Sequence, residues 1–284
     1  HGKSTHSIGL IVPTVALPFF GELTEHVEDF LAERGYRTFV CNSMGKADRE
    51  REYLDLLVSH RVDGIISSAH NDGLADYSSI HLPLVSVDRD LSPIVPNVRC
   101  DNEAGGRLAA EHLLKRGARR PALLTSRTGI HNLREKGYRQ VLQQAGIEPV
   151  VLTVDFNTPN SERPRLIRER LDLVAGDIDA VFATDDLAAA QVMEWAAERD
   201  LRIPDDFKVI GFDGTVAMQH ALPALTTIQQ PITKLARAAV DLLLKRIDSA
   251  TAVSAQSTQS GGPGVEDLQA PSPMPVRLLP GRTT

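Results

Sequence analysis

The sequence predicts an α/β protein made of two parallel-sheet halves, on three observations. Short apolar runs such as Ser7 to Val12 (SIGLIV) lack polar alternation, as expected of strands covered on both faces. These runs alternate with segments of helical spacing, the rhythm of βαβ units. The rhythm restarts after Gly117, so that roughly 7–117 and 118–228 form two successive halves of similar size.

Taken in order, the first half opens with the strand at Ser7 to Val12. Pro18 suits a helix's first turn, and Phe19 to Arg34 follow helical spacing through Leu23, Val27, Phe30 and Leu31 until Gly35 stops the helix. Thr38 to Cys41 reads as a strand and Ala47 to His60 as a helix with a charged outer face. Val62 to Ser67, Leu82 to Val87 and Val98 to Asp101 are further strands, and Asn102 can cap a helix from Glu103 to Arg116.

The second half repeats the pattern. Strands are predicted at 121–125, 150–154, 178–183 and 209–212, with helices at 133–145, 161–174 and 185–200 between them. Leu225 to Ile228 is a further extended run. Gln229, Gln230 and Pro231 then lead into an amphipathic helix at 232–247, which needs a sheet to pack on; the first half is its expected host. The organisation expected is therefore 7–117 with 229–248 as one lobe and 118–228 with 276–284 as the other. Residues 249–275, rich in Ser, Gln, Gly, Pro and Ala, are expected to form a disordered, mobile excursion.

Composition bounds the function. The chain has 284 residues, 42% hydrophobic and 24% charged, with a net charge of −6, an ordinary globular balance that does not fit a nucleic-acid-binding surface. Cys41 and Cys100 fall in apolar contexts and read as buried free thiols of a reducing, cytoplasmic compartment. No window approaches the ~20 apolar residues of a membrane span, so no membrane partner is expected. The polar start, HGKSTHS, lacks an apolar signal segment and reads as a cut point in a longer protein. Gly-x-Ser-x-Gly, Walker and Gly-x-Gly-x-x-Gly motifs are absent, and the nine histidines lack metal-site spacing, so neither an enzyme nor a cofactor is expected.

The chemistry concentrates at predicted strand ends. Asp88, Asp101, Asp185, Asp186 and Asp213 all stand there, where open α/β sheets bind ligands. Each could equally be a helix cap or turn former. As ionised carboxylates they would accept hydrogen bonds from a donor-rich ligand. Arg134, at a helix start, could be a solvated charge or a forked donor to ligand oxygens. Phe19, Phe20 and Phe156 follow strands and could cover a sugar or base face; Phe19 and Phe20 are not expected both to enter the core.

Several runs carry a resemblance: IGLIVPTVALPFFGELTEHVEDFLAERGY, REREYLDLLVSHRVDGIISS, DNEAGGRLAAEHLLKRGARRPALL, ATDDLAAAQVMEWAAERDLRIPDDFKVIGFDG and PALTTIQQP. From about Ser7 to Ile247 the chain resembles the effector-binding core of the lactose/galactose repressor (LacI/GalR) family. The resemblance implies a periplasmic-binding-protein-like fold, two lobes joined by three crossovers, with a small effector in the cleft. It also implies a homodimer, through the helices at 47–60 and 232–247, and operator DNA bound by an N-terminal helix-turn-helix that this sequence does not contain. The family's pocket falls on Phe19, Phe20, Ser68, Asp101, Arg134, Phe156, Thr184, Asp213 and Gln230.

The sequence departs from the family at Leu17, where Asn is frequent, at Thr184, where Ala-Asn-Asp is usual, and at Gly214, where a second acid is usual. The expected ligand is a small hydroxyl-rich molecule, a sugar or sugar derivative, with a purine as the nearest alternative. The rival function is an extracytoplasmic sugar-binding transport receptor, which needs a secretion signal upstream.

Overall fold

The computed structural model describes residues 4–70, 77, 79–256 and 268–284. In chain order the first elements are β1 (Ser7–Val12), α1 (Pro18–Glu33), β2 (Arg37–Asn42), α2 (Ala47–Ser59), β3 (Gly64–Ser67), β4 (Leu84–Val87) and β5 (Asn97–Val98). Then come α3 (Asn102–Lys115), β6 (Pro121–Thr125), α4 (Leu133–Gln144), β7 (Val150–Thr153), α5 (Arg163–Asp172), β8 (Ala180–Ala183) and α6 (Asp186–Glu198). The last are β9 (Lys208–Asp213), α7 (Val216–Ala221), β10 (Thr226–Gln229), α8 (Ile232–Gln256) and β11 (Arg277–Leu279). The fold is α/β, and the chain divides into two compact units, His1–Cys100 with Ile232–Met274, and Asp101–Pro231 with Pro275–Thr284.

The sheet of the first unit has the order β2-β1-β3-β4-β5, all parallel, with Ile8 opposite Thr38 on one side and Gly64 on the other. Its central strands are buried throughout, which is why they read as unbroken apolar runs. Gly9 admits α2 closely: a Cβ there would fall 2.5 Å from Leu57 Cδ1. α8 packs on α1, β3 and β4.

The sheet of the second unit has the order β11-β10-β9-β8-β6-β7, parallel except for β11, whose Leu279 lies opposite Thr227. Trp195 and Phe207 anchor its core, their rings 5.6 Å apart, and the buried Trp195 indole donates to Asp172 at 2.8 Å.

Two boundaries differ from those the sequence led us to expect. α3 belongs to the second unit, so the division falls at Cys100–Asp101 rather than at 117, and Gln229–Pro231 also lie in the second unit. Two glycines inside α3 explain this. A Cβ on Gly105 would meet the Phe212 ring at 2.8 Å, and one on Gly106 would overlap the Arg134 carbonyl. α4 returns the contact, since a Cβ on Gly137 would overlap the Glu103 carbonyl. Only side-chain-free crossings let α3 sit this close to α4 and β9. The strand expected at Val98 to Asp101 shortens to Asn97–Val98, because Asp101 leaves the sheet to cap α3.

The second difference is the expected excursion at 249–275. Residues 249–256 continue α8, because a helix already nucleated propagates readily through SATAVSAQ, where alanine recurs. Near the other end, Met274 bridges Cys100 and the Leu268 carbonyl accepts from Arg246. The remainder, 257–267, lies outside the described residues. Among the described residues no helix is long and apolar enough to cross a membrane.

Candidate ligand-binding site

The site of the second unit is built on the end of β9. Asp213 has φ +101°, a region that side-chain-bearing residues rarely occupy. Gly214 follows at φ +60°, where a Cβ would fall 2.9 Å from that of Gln229, so the family's second acid has no room here. The turn is held on both sides: the Asp213 carbonyl accepts the Gln230 N–H at 3.0 Å, and the Gly214 N–H donates to Asp186 at 2.8 Å.

Arg134 arrives from the first turn of α4, whose cap Asn132 accepts the Glu135 N–H at 3.0 Å. Its guanidinium lies 3.7 Å from the centroid of the Phe212 ring. Nε donates to Asn102 Oδ1 at 2.8 Å and Nη1 to the Thr184 carbonyl at 2.6 Å. Nη2 stands 3.9 Å from Asp213 Oδ1, which also accepts the Gln230 amide at 2.8 Å. Both recorded partners of the Asp213 carboxylate are therefore on Oδ1, and Oδ2 has none among the described residues. Gln230 Oε1 is buried without a hydrogen-bond partner among the described residues.

Burial pushes the Asp213 carboxyl well above its ordinary value; Arg134 opposes the shift, while the charges of Asp186 and Asp185 add to it. A hydroxyl donating to Oδ2 would favour the charged form that burial penalises.

The remaining acids of this unit divide by role. Asp101 caps α3 through Oδ1, accepting the Ala104 N–H at 2.9 Å, and its neighbour Asn102 is the residue that orients Arg134. Asp185 caps α6, accepting the Ala188 N–H at 2.7 Å, and pairs with Arg163 at 3.1 Å. Thr184, at the end of β8, lends its carbonyl to Arg134 and places its hydroxyl 3.4 Å from that of Thr125. Phe156 stands half-buried in the turn after β7. Arg134, Thr184, Asp213 and Gln230 are thus joined by direct contacts, with Asp101 one residue from the cluster. Asn102 and the Phe212 ring, which complete it, were not singled out from the sequence. Asn102 read as a cap and Phe212 as strand interior.

The first unit carries a separate cluster. Phe19 and Phe20 are both 4% exposed, correcting the expectation that only one could enter the core. They meet edge to face at 5.0 Å, and Phe20 meets His70 in the same way at 5.4 Å, so each ring covers the other's edge. Leu17 holds the N-cap position of α1 and makes no side-chain cap. Ser68 is fully buried, and its hydroxyl has no hydrogen-bond partner among the described residues. His70 Nδ1 donates to the Ser68 carbonyl at 3.2 Å and Nε2 stands 3.7 Å from Asp88, which adopts φ +71°. Among the described residues no group of His, Cys, Asp and Glu could hold a metal ion.

In the second unit, strand ends that carry an unpartnered polar group beside an arginine and an aromatic ring have the features of a small-molecule site. Comparison with known proteins narrows the class. The model of the periplasmic binding protein-like domain matches residues 110–262, more than half of the chain. The sucrose operon repressor of Streptococcus mutans is 38% identical over 250 residues, 87% of this chain and 76% of that protein. A LacI family regulator from Enterococcus faecium, solved with bound ribose, superposes with a TM-score of 0.79 at 28% identity over 98% of both chains. A periplasmic binding protein/LacI regulator from Alkaliphilus metalliredigens, complexed with D-xylulofuranose, gives 0.80 at 29% identity over 99% of both chains. The chain belongs to the LacI family of transcriptional regulators and carries its periplasmic-binding-protein-like domain.

Proposed function

We propose that this chain is the sugar-sensing core of a transcriptional regulator. The observation that carries the reading is the Asp213–Arg134 pair, in which a carboxylate keeps one oxygen open beside a guanidinium fixed by Asn102, Thr184 and Phe212. Sugar hydroxyls both donate and accept, so one ring edge can give to Asp213 and take from Arg134. Relatives at 34–38% identity are sucrose and ribose operon repressors, and similar solved structures hold ribose and D-xylulofuranose, which supports a sugar over a purine. That the relatives are operon repressors favours the regulator over a transport receptor.

The reading includes a homodimer, cytoplasmic location, no catalysis and operator binding through a domain outside this sequence. A sugar alters DNA affinity only by its differential affinity for the two states of the regulator; couplings of this kind are typically ~1–3 kcal/mol.

A thermal-shift panel of mono- and disaccharides, with D-ribose and sucrose among them, and of nucleobases tests the ligand class. A sugar present at a hundredfold its Kd adds about 2.7 kcal/mol to stability by mass action. A shift with nucleobases alone would overturn the sugar reading, and so would no shift with any sugar.

A further inference from the structure

Asp186 is 3% exposed, and its two oxygens serve two different strands. Oδ1 accepts the Thr227 hydroxyl of β10 at 2.6 Å, and Oδ2 accepts the Gly214 N–H at the end of β9 at 2.8 Å. Oδ1 also lies so close to the Cα of Gly211 that any Cβ there would overlap it. Met218, Leu222, Leu225 and Leu279 line a cavity of about 230 Å³ that Asp186 and Thr227 also border. A carboxylate among such apolar neighbours is held at a cost, so what it bonds to is informative.

What it holds is the turn that aims Asp213. A non-glycine residue at φ +101° relaxes toward extended backbone unless its surroundings over-determine it. On one flank the Asp213 carbonyl is tied to the Gln230 N–H. On the other, the Gly214 N–H is tied to Asp186, and Thr227 fixes Asp186 in turn. We propose that Asp186 is a positioning residue for Asp213: by gripping Gly214 and Thr227 together it sets the direction in which the Asp213 carboxylate meets its ligand. This rests on the reading of Asp213 as a ligand acceptor.

The grip survives protonation. Burial raises the Asp186 carboxyl to about 7, aided by the charge of Asp185 and opposed by hydrogen bonds from Thr227, Gly214 and Phe212. A proton on Oδ1 donates to a reversed Thr227 hydroxyl while Oδ2 still accepts from Gly214. What changes is the charge facing Asp213. The other charged groups around it are Asp185, paired with Arg163 of α5, and Asp213 itself, paired with Arg134 of α4. Asparagine imitates the protonated acid, its amide donating to Thr227 and its carbonyl accepting from Gly214.

The test is by NMR, without any sugar, so that its failure is separable from failure of the ligand reading. Amide exchange at Gly214 and Gln230 and the carboxyl titration of Asp213 are followed in the parent, Asp186→Asn and Asp186→Ala. In Asp186→Ala, protection at Gly214 and Gln230 should fall roughly tenfold or more relative to the β9 interior. Asp186→Asn should keep that protection and lower the pKa of Asp213, because a neighbouring negative charge is gone. Unchanged protection at Gly214 in Asp186→Ala, or an equal loss across all of β9 and β10, overturns the proposal. An Asp213 titration unaltered in Asp186→Asn overturns it too, and that arm stands alone if Asp186→Ala does not fold.

Discussion

In the first unit the polar side chains of β3, β4 and β5 bond to one another or to Tyr77, whereas in the second unit the polar residues at the ends of β8, β9 and β10 gather around a charged pair. Ser67, Ser86 and Asn97 lie in register across the first sheet, and the Asn97 amide donates to Ser86 Oγ at 2.9 Å. Tyr77 closes the row: its hydroxyl lies 2.9 Å from that of Ser67 and donates to Glu50, a fully buried residue of α2. Arg134 and Asp213 do the opposite. They spend Nε, Nη1 and Oδ1 on hydrogen bonds to the protein, Nη2 faces Asp213 Oδ1 at 3.9 Å, and Oδ2 has no partner among the described residues. Apart from Asn97 Oδ1, the polar side-chain atoms of the first row are bonded within the protein. Ser68 Oγ is buried without a hydrogen-bond partner among the described residues, as is Asn97 Oδ1.

The largest effect should come from the scaffold of the charged cluster. Gly106→Val drives a side chain into the Arg134 backbone, and overpacking against main chain should cost more than ~3 kcal/mol. Hydrogen exchange read by mass spectrometry should show the loss within 101–231 and spare the sheet of the first unit. Equal loss in both units would contradict the assignment of α3 to the second.

A second, more graded difference is one of pH. Burial raises Asp186 from 3.8 to about 7, so the folded state keeps a proton that the unfolded chain releases. The stability this supplies is fully present below about pH 4 and is lost as pH rises through about 7, a fall of at most ~4 kcal/mol. Urea unfolding across that range should show the decline in the parent and a flatter profile in Asp186→Asn. Profiles that coincide would locate the pH dependence elsewhere.

In the first unit, Tyr77→Phe removes the hydroxyl that joins Ser67 to Glu50 and should cost ~1–3 kcal/mol in urea unfolding. Because that row bonds within the protein, sugar affinity measured under folded conditions should change less than stability does. Ser68→Ala should do the reverse: near-neutral for stability, and ~0.5–1.5 kcal/mol weaker in binding if a ligand hydroxyl meets it.

The sequence made the architecture legible because buried parallel strands and amphipathic helices carry it locally. It did not show which sheet α3 joins. Its apolar spacing is the same for either host, and the deciding feature is the absence of side chains at Gly105, Gly106 and Gly137, two glycines mid-helix in α3 and one in α4. Asp213 and Arg134 were legible as a strand-end acid and a helix-start cation. Asn102, Phe212 and the Asp186 grip were not, since each depends on residues far away in the chain coming together. Asp186 read as a cap or turn former, yet Asp185 is the cap and Asp186 the buried brace. The end of α8 was misplaced because composition reports a segment's own weakness and not the helix it extends.

The charged pair of Asp213 and Arg134 is the part of the site with the most direct test. Calorimetric titration of the sugar selected by the thermal-shift panel, into the parent, Asp213→Ala and Arg134→Ala, measures it directly. Loss of the hydrogen bonds to Asp213 should cost ~1.5–3 kcal/mol, a drop in affinity of roughly tenfold to more than a hundredfold. Arg134→Ala should weaken binding as well, and circular dichroism should be unchanged in both. If both variants bind that sugar as the parent does, Asp213 and Arg134 are structural groups and the ligand is held elsewhere.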